Sequence, residues 1–509
     1  MDVTQLCSLP ATDLSRLVRA GEVSPVEVVD AALQRVEQLD PQLHAFVELT
    51  ADRARKRARE IADAVARGED VGPLAGVPVA VKDLIATAGI PTRSGSPAYR
   101  DFVPDEDDVV VERIVAAGAV VLGKTTVPEF GYSAVGHNPV SPTARNPWNP
   151  ALTPGGSSAG SGIAVATGMS PVALGSDGGG SVRIPAAHCG VYGFKGSMGR
   201  VPLYPGCRDE RYPGMSGWES LECIGPMTRT VDDAALMMSV LAGPDPRDRH
   251  SIPAGDVDWS TATGGDVRGM RIAFSTDLGY VAVDAAVRQV VMEAVQAFRE
   301  LGCVVEEVDP GWPDPQDTFW RLVVADTDLT GMRELVERYG SEMSPHLVDL
   351  CSRRWTGEQL TDAVMARKAV TNRMWRLMAD YDLLVTPTLT VPPFALGMQG
   401  PEEVDGRIVG SSAWLSFTQP INMTGQPAAS CPAGMTADGL PVGLHIVGRH
   451  LDDAAVLRAS AAFERARPWA DRWPAVVQEQ AVMQEQAGAQ EQAGAQEQAG
   501  EPAGIGVTS

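Results

Sequence analysis

Lysine is scarce in this chain: only five of its 42 basic residues are lysines, at positions 56, 82, 124, 195 and 368. One of them, Lys82, closes an apolar run, residues 77–81. Arginine stays protonated, whereas a desolvated lysine can give up its proton and serve as a base. A serine nucleophile needs a base. Serines are concentrated in one stretch, GGSSAGSGIAVATGMSPVALGSDGGGSVRIP, residues 155–185. It holds two Gly/Ser clusters, 155–162 and 175–181, separated by small and β-branched apolar residues. In the second cluster Gly178, Gly179 and Gly180 precede Ser181. Backbone N–H groups in such a loop can converge on one cavity and stabilise a developing oxyanion.

The familiar routes to an activated serine are absent. No G-x-S-x-G sits at a predicted strand-to-helix turn, and no lysine has a serine three positions before it. A lysine distant in sequence, relayed through a second serine, is one arrangement left open. The bland alternatives are a lysine snorkelling from a strand end, weighed equally with a catalytic one, and a flexible Gly/Ser linker. A linker would not alternate with well-made apolar segments. Residues 118–125, GAVVLGKT, also fit the phosphate-loop expression letter for letter. Val120, Val121 and Leu122 read as a strand where that loop should be open, and Pro128 interrupts the helix that should follow, so nucleotide binding is set aside.

The elements that must position these residues alternate along the chain. Ser24-Pro25-Val26-Glu27 is a capping box opening a helix, and a charged helix follows at about 51–67. Strands are expected at 76–83, 119–122, 171–175, 271–275, 303–308, 383–386 and 441–447. Helices are expected at about 106–117, 158–168, 231–241 and 284–301, and over most of 315–380. The pattern predicts an α/β protein with one large mixed central sheet covered by helices on both faces. Residues 1–483 form the main domain, with a cap or sub-domain at about 278–380. The QEQAGA repeats of 484–509 have nothing apolar to bury and read as a disordered tail.

Composition narrows the partners. A formal charge of −23 argues against nucleic acid and anionic membranes. No apolar run approaches a membrane span and no signal pattern opens the chain. Seven scattered cysteines and seven dispersed histidines indicate a reduced, cytoplasmic protein without a metal or other cofactor.

Taken in order, GGSSAGSG and GSDGGGSVRIPAA resemble the signature of the amidase signature family of serine hydrolases. VAVKDLI, VVLGKTTVPEFG, GVYGFKGSMGRV, DLLVTPT, INMTGQPAASCPAG and DGLPVGLHIVG match its pattern in sequence, over most of residues 10–475. The resemblance implies Ser181 as nucleophile, Ser157 as bridging serine after a cis Gly156–Ser157 peptide, and Lys82 as base. It implies an oxyanion hole from the N–H groups of Gly178, Gly179, Gly180 and Ser181, with backbone around Gly131 facing the substrate. Asp177 and Arg183 are either braces for this loop or an ordinary ion pair. Ala159 and Gly178 depart from the usual residues, both towards small side chains.

The expected activity is hydrolysis of a small-molecule carboxylic amide through an acyl-enzyme, with a homodimer left open. A carbamate or ester hydrolase and the amidase subunit of a tRNA-dependent amidotransferase are the alternatives; a catalytically dead binding module is the weakest. Two irregular segments carry the aromatic and thioether side chains that can line an apolar pocket. Residues 203–222 hold Tyr204, Tyr212, Met215 and Trp218; residues 388–420 hold Phe394, Met398, Trp414 and Phe417. They predict a preference for bulky apolar or aryl amides over glutamine, unless several simply pack the loops.

Overall fold

The computed structural model describes residues 1–205, 211–215, 218–255 and 257–479, so the repeat-bearing tail lies outside the described residues. The strands in chain order are β1 (Phe46–Leu49), β2 (Pro78–Lys82), β3 (Val120–Thr125), β4 (Val172–Asp177), β5 (Tyr192–Lys195) and β6 (Cys223–Thr228). They continue with β7 (Arg271–Phe274), β8 (Val304–Glu307), β9 (Leu383–Pro387), the two-residue strands β10 (Glu403–Val404) and β11 (Arg407–Ile408), β12 (Ala428–Met435) and β13 (Pro441–Gly448). All but β10 and β11 join one 11-stranded sheet in the order β1-β3-β2-β4-β6-β5-β12-β13-β9-β7-β8. The sheet is mixed: β2 runs parallel to β3 and β4, β7 parallel to β8 and β9, and the rest pair antiparallel. Every residue of β2, β3, β4, β5, β6, β9 and β13 is buried. Since alternate side chains leave opposite faces, both faces of the central sheet are covered, as the run PVAVK in β2 anticipates.

Most expected elements are present. Ser24 caps the helix Pro25–Leu43, and Glu27 accepts the Ser24 N–H at 3.0 Å. The parallel β7–helix–β8 crossover is present, its helix divided into Ala285–Ala294 and Gln296–Glu300. The strand expected at 119–122 runs on through Gly123-Lys124-Thr125. A Cβ at Gly123 would lie 2.0 Å from Glu48 O on β1, so glycine permits strand pairing here and no phosphate cradle. Lys124 is buried, its Nζ donating to Ile85 O and, at 3.1 Å each, to Thr87 Oγ1 and Thr92 Oγ1.

Sequence reading missed β1, β5, β6 and β12. Gly225 and Pro226 in β6, and Pro432 and Gly434 in β12, suppress the local strand signal. Close packing supplies the reason for Gly225, whose Cβ would meet Phe194 O at 2.0 Å. The helices Gln316–Ala325, Leu329–Tyr339, Pro345–Ser352 and Gly357–Met378 fill 315–380. They gather a second apolar cluster, including Phe319, Met332 and Leu347, against Phe130, Tyr132 and Met423. Among the described residues no helix is long and apolar enough to cross a membrane.

Candidate active site

Parallel pairing of β2 with β4 brings the ends of both strands to one place. Lys82 ends β2, fully buried, and its Nζ donates to Ser157 Oγ (2.7 Å), Ser176 Oγ (2.9 Å) and Ser176 O (3.0 Å). Ser176 is the penultimate residue of β4 and was not anticipated from sequence; its serine looks like any other in a Gly/Ser-rich run. Ser157 stands in the loop before the helix Ala159–Ala166, and the Gly156–Ser157 peptide is cis. That helix sits close to the sheet because Gly160 has no side chain: a Cβ would lie 2.0 Å from Ala45 O and 2.5 Å from Thr126 N. Two hydrogen bonds from Ser158 tie the loops together, its N–H to Ser181 O (3.2 Å) and its Oγ to Ser176 O (3.3 Å).

The three side chains differ in access. Lys82 is 0% exposed, Ser157 2% and Ser181 8%. Ser157 and Ser181 both border a narrow chamber of about 30 Å³, walled by Leu84, Phe130, Gly131, Met215 and Trp218 among others. Ser181 also borders a wider cavity of about 380 Å³, which Lys82 and Ser157 do not reach. Gly131, at φ +77°, lies against Ser157: a Cβ there would be 3.4 Å from Ser157 Oγ and 2.9 Å from Leu84 Cδ1. The order from solvent is therefore Ser181, Ser157, Lys82.

The glycine loop is held from below by a buried ion pair. Asp177 ends β4 and receives Arg183 through Nε (2.9 Å) and Nη2 (2.9 Å), with both side chains 0% exposed. Arg183 also donates to Asn422 Oδ1 (2.6 Å) and Thr418 O (3.2 Å), and pairs with His445 Nε2 at 3.0 Å. Burial works to raise the Asp177 carboxyl, but the Arg183 guanidinium outweighs it and holds the group well below the usual carboxylate range. Burial, aided by Arg183, keeps His445 neutral, so its Nε2 accepts.

Asp177 also corrects one expectation. Its Oδ1 accepts the Gly180 N–H at 2.7 Å, so that donor is turned away from the chamber. Gly180 owes its identity to its φ of +125° and to Thr418, whose Oγ1 would lie 2.4 Å from a Cβ. Gly178 borders the narrow chamber and Gly179 the wide cavity. Among the described residues no acceptor engages the N–H of Gly178, Gly179 or Ser181.

This brace has a measurable cost if broken. Asp177→Asn leaves the guanidinium buried without its counter-charge, and a loss of about 3–5 kcal/mol is expected. The sign with pH follows from the depressed carboxyl. The unfolded state takes up the proton first, so the pair's contribution is constant above about pH 4 and is lost as pH falls further. Urea unfolding of wild type and variant between pH 3 and 7 checks this; equal stabilities at pH 7 would refute it.

The aromatic residues divide. Met215 and Trp218 line the narrow chamber, and Trp218 lines the wide cavity too. Trp414 does not: it is buried, stacked on His188 at 5.4 Å, with Nε1 donating to Gln399 O (3.0 Å). Phe394 packs edge-on against Trp414, and Phe417 is buried in the main core. Tyr212 packs on Phe102, and Tyr204 lies under Arg247. The wide cavity takes its far wall instead from the helical 315–380 region, through Phe319, Trp320, Leu350 and Trp355. Of the two arginines in 203–222 that could receive a substrate carboxylate, Arg211 pairs with Glu106 at the surface and Arg208 lies outside the described residues. Among the described residues no group of three or more His, Cys, Asp or Glu is placed to hold a metal ion.

A family model described as Amidase matches residues 27–457, and the chain belongs to that family, the amidase signature enzymes. It is a hydrolase of carbon–nitrogen amide bonds. The acylamidase of Rhodococcus erythropolis is 39% identical over 477 residues, covering 92% of this chain and 97% of the relative. A glutamyl-tRNA(Gln) amidotransferase subunit from Carboxydothermus hydrogenoformans is 35% identical over 490 residues, covering 91% and 98%. Among solved structures, a bacterial aryl acylamidase of the amidase signature family superposes with a TM-score of 0.83 at 34% identity, covering 91% of this chain and 96% of the other. The 6-aminohexanoate cyclic dimer hydrolase complexed with substrate gives 0.81 at 29% identity, covering 92% and 99%.

Proposed function

We propose that the chain hydrolyses apolar or aryl carboxylic amides through Ser181, Ser157 and Lys82. The observation that carries the reading is the 2.7 Å contact between Lys82 Nζ and Ser157 Oγ, with Ser157 and Ser181 on one chamber. Neutral Lys82 takes the proton of Ser157 as Ser157 takes that of Ser181, and Ser181 Oγ attacks the amide carbon. The tetrahedral oxyanion is held by the N–H groups of Gly178, Gly179 and Ser181. The relay returns the proton to the leaving nitrogen, the amine departs, and water then cleaves the acyl-enzyme to the carboxylic acid. Backbone at Gly131 borders the bound carbonyl group, and the helices of 316–378 act as the cap over the leaving side, a shorter cap than the expected 278–380 because β8 joins the main sheet and Val287, Val291 and Phe298 pack in the main core.

Lining chemistry favours this substrate class over glutamine. The wide cavity presents Phe319, Trp320, Leu350, Trp355 and Trp218, and its arginine, Arg353, is already paired with Asp349. A cavity of this size and apolarity suits an aryl group, and among the described residues its lining holds no clustered basic site for an α-carboxylate. In purified protein, kcat/KM for an acetanilide is expected to exceed that for glutamine by about a hundredfold or more, the discrimination a mismatched polar group brings. A preference for glutamine would overturn this reading in favour of a role within an amidotransferase.

A further inference from the structure

Trp218 is the residue that separates the two chambers. It borders both, and the other residues common to them are Gly131 and Ser181. Its position depends on Gly178. A Cβ on Gly178 would lie 2.4 Å from Trp218 Cε3 and 3.0 Å from Cζ3, so the indole lies flush on the backbone beside Ser181. Tyr132 supports it edge-on, with ring centroids 5.0 Å apart and planes at 87°. Tyr132 is itself buried, its Oη bonded to Thr327 Oγ1 at 2.7 Å. The indole is thus a supported wall, set where a side chain at 178 would forbid it.

The spaces on either side are unequal, about 30 Å³ against about 380 Å³. The smaller has room for roughly two water-sized groups, the scale of a methyl or ethyl group. Ser181 stands at the junction, so an amide bound with its carbonyl at Ser181 places one end in each space. Product order decides which. The amine must leave while the acyl group is still bonded to Ser181, and water must then reach that ester. The wide cavity is the larger and the more open of the two and gives the amine its readier exit, so the amine is assigned to the wide cavity and the acyl group to the narrow chamber.

Resting on the amidase reading above, we propose that Trp218, seated on Gly178, is a specificity-determining residue that restricts the acyl half of the substrate to short chains. The amine half is left free to be bulky. The substrates of this chain are accordingly short-chain acyl amides of large apolar amines.

The test is kcat/KM for acetyl, butyryl, hexanoyl and octanoyl anilides, with a second series of acetyl amides of aniline and naphthylamine. Wild type is expected to lose about tenfold or more between acetyl and hexanoyl, since a pocket that excludes added methylenes discriminates on that scale. Trp218→Ala opens the wall, and its hexanoyl-to-acetyl ratio should rise about tenfold or more above wild type. Trp218→Phe, which retains an apolar wall, should fall between and guards against loss of fold in the alanine variant. The naphthylamine-to-aniline ratio should shift less than the hexanoyl-to-acetyl ratio in both variants, since Trp218 is one of several aromatic side chains on the wide cavity. An unchanged hexanoyl-to-acetyl ratio in both variants, or a shift confined to the amine series, would overturn the proposal while anilide turnover keeps the amidase reading intact. Turnover of glutamine with none of any anilide would overturn both.

Discussion

Ser181→Ala is expected to abolish amide hydrolysis, with kcat falling by about six orders of magnitude, the loss seen when a serine nucleophile is removed. It should also abolish covalent labelling by a fluorophosphonate. The size of the effect follows from position: of the three side chains in line, Ser181 alone borders both chambers. Ser158 is nearest in sequence to the relay, but its Oγ is committed to Ser176 O and is fully buried. Ser157→Ala separates the roles. On the proposed relay it removes the group between base and nucleophile but leaves Ser181 in place, so turnover should drop severely while slow labelling persists. Labelling of Ser181→Ala at the wild-type rate would show that the nucleophile is elsewhere. Melting temperatures should be nearly unchanged in Ser181→Ala, because Ser181 anchors its loop through backbone rather than its side chain.

What was legible in the sequence was chiefly local. Lys82 stood out because the chain otherwise uses arginine, and the glycines before Ser181 announced a backbone site. What could not be read was who competes for each donor. Three consecutive glycines suggest three free N–H groups, yet the carboxylate of Asp177, three residues upstream, claims that of Gly180. Ser176 was equally hidden: its contact with Lys82 arises from the pairing of β2 with β4, which no local pattern specifies. The same holds for the cavity wall. Trp218 and Trp414 are alike as residues in irregular segments, but one faces the site and the other is wedged on His188. Phe319 and Trp320 reach the site from a helix whose placement depends on contacts more than a hundred residues away in sequence, such as Phe319 against Gly179. Of the missed strands, β6 and β12 gain their strand character from burial between neighbours, overriding Gly and Pro.

Lys82→Arg is expected to lower kcat/KM by about two to four orders of magnitude, the usual range for removing a general base. Arginine keeps the positive charge and the hydrogen-bond donors, so an electrostatic or purely architectural role would be partly retained, whereas proton acceptance would be lost. The pH profile separates these cases. If Lys82 accepts the Ser157 proton, only its neutral form is active, so wild-type kcat/KM must rise with pH as the ammonium deprotonates. In Lys82→Arg the residual activity should lack that limb, because the guanidinium does not deprotonate in the same range. Arginine is larger than lysine and the site is fully enclosed, so Lys82→Met, close in volume, serves as the second variant; its residual activity should be equally low and equally flat. Ser176 provides the complementary measurement. Its Oγ and carbonyl orient Nζ without touching the nucleophile, and Ser176→Ala should reduce kcat modestly while leaving the alkaline limb in place. A Lys82→Arg enzyme that turns over at the wild-type rate, or that keeps the wild-type pH limb, would remove lysine from the relay and require another base for Ser157.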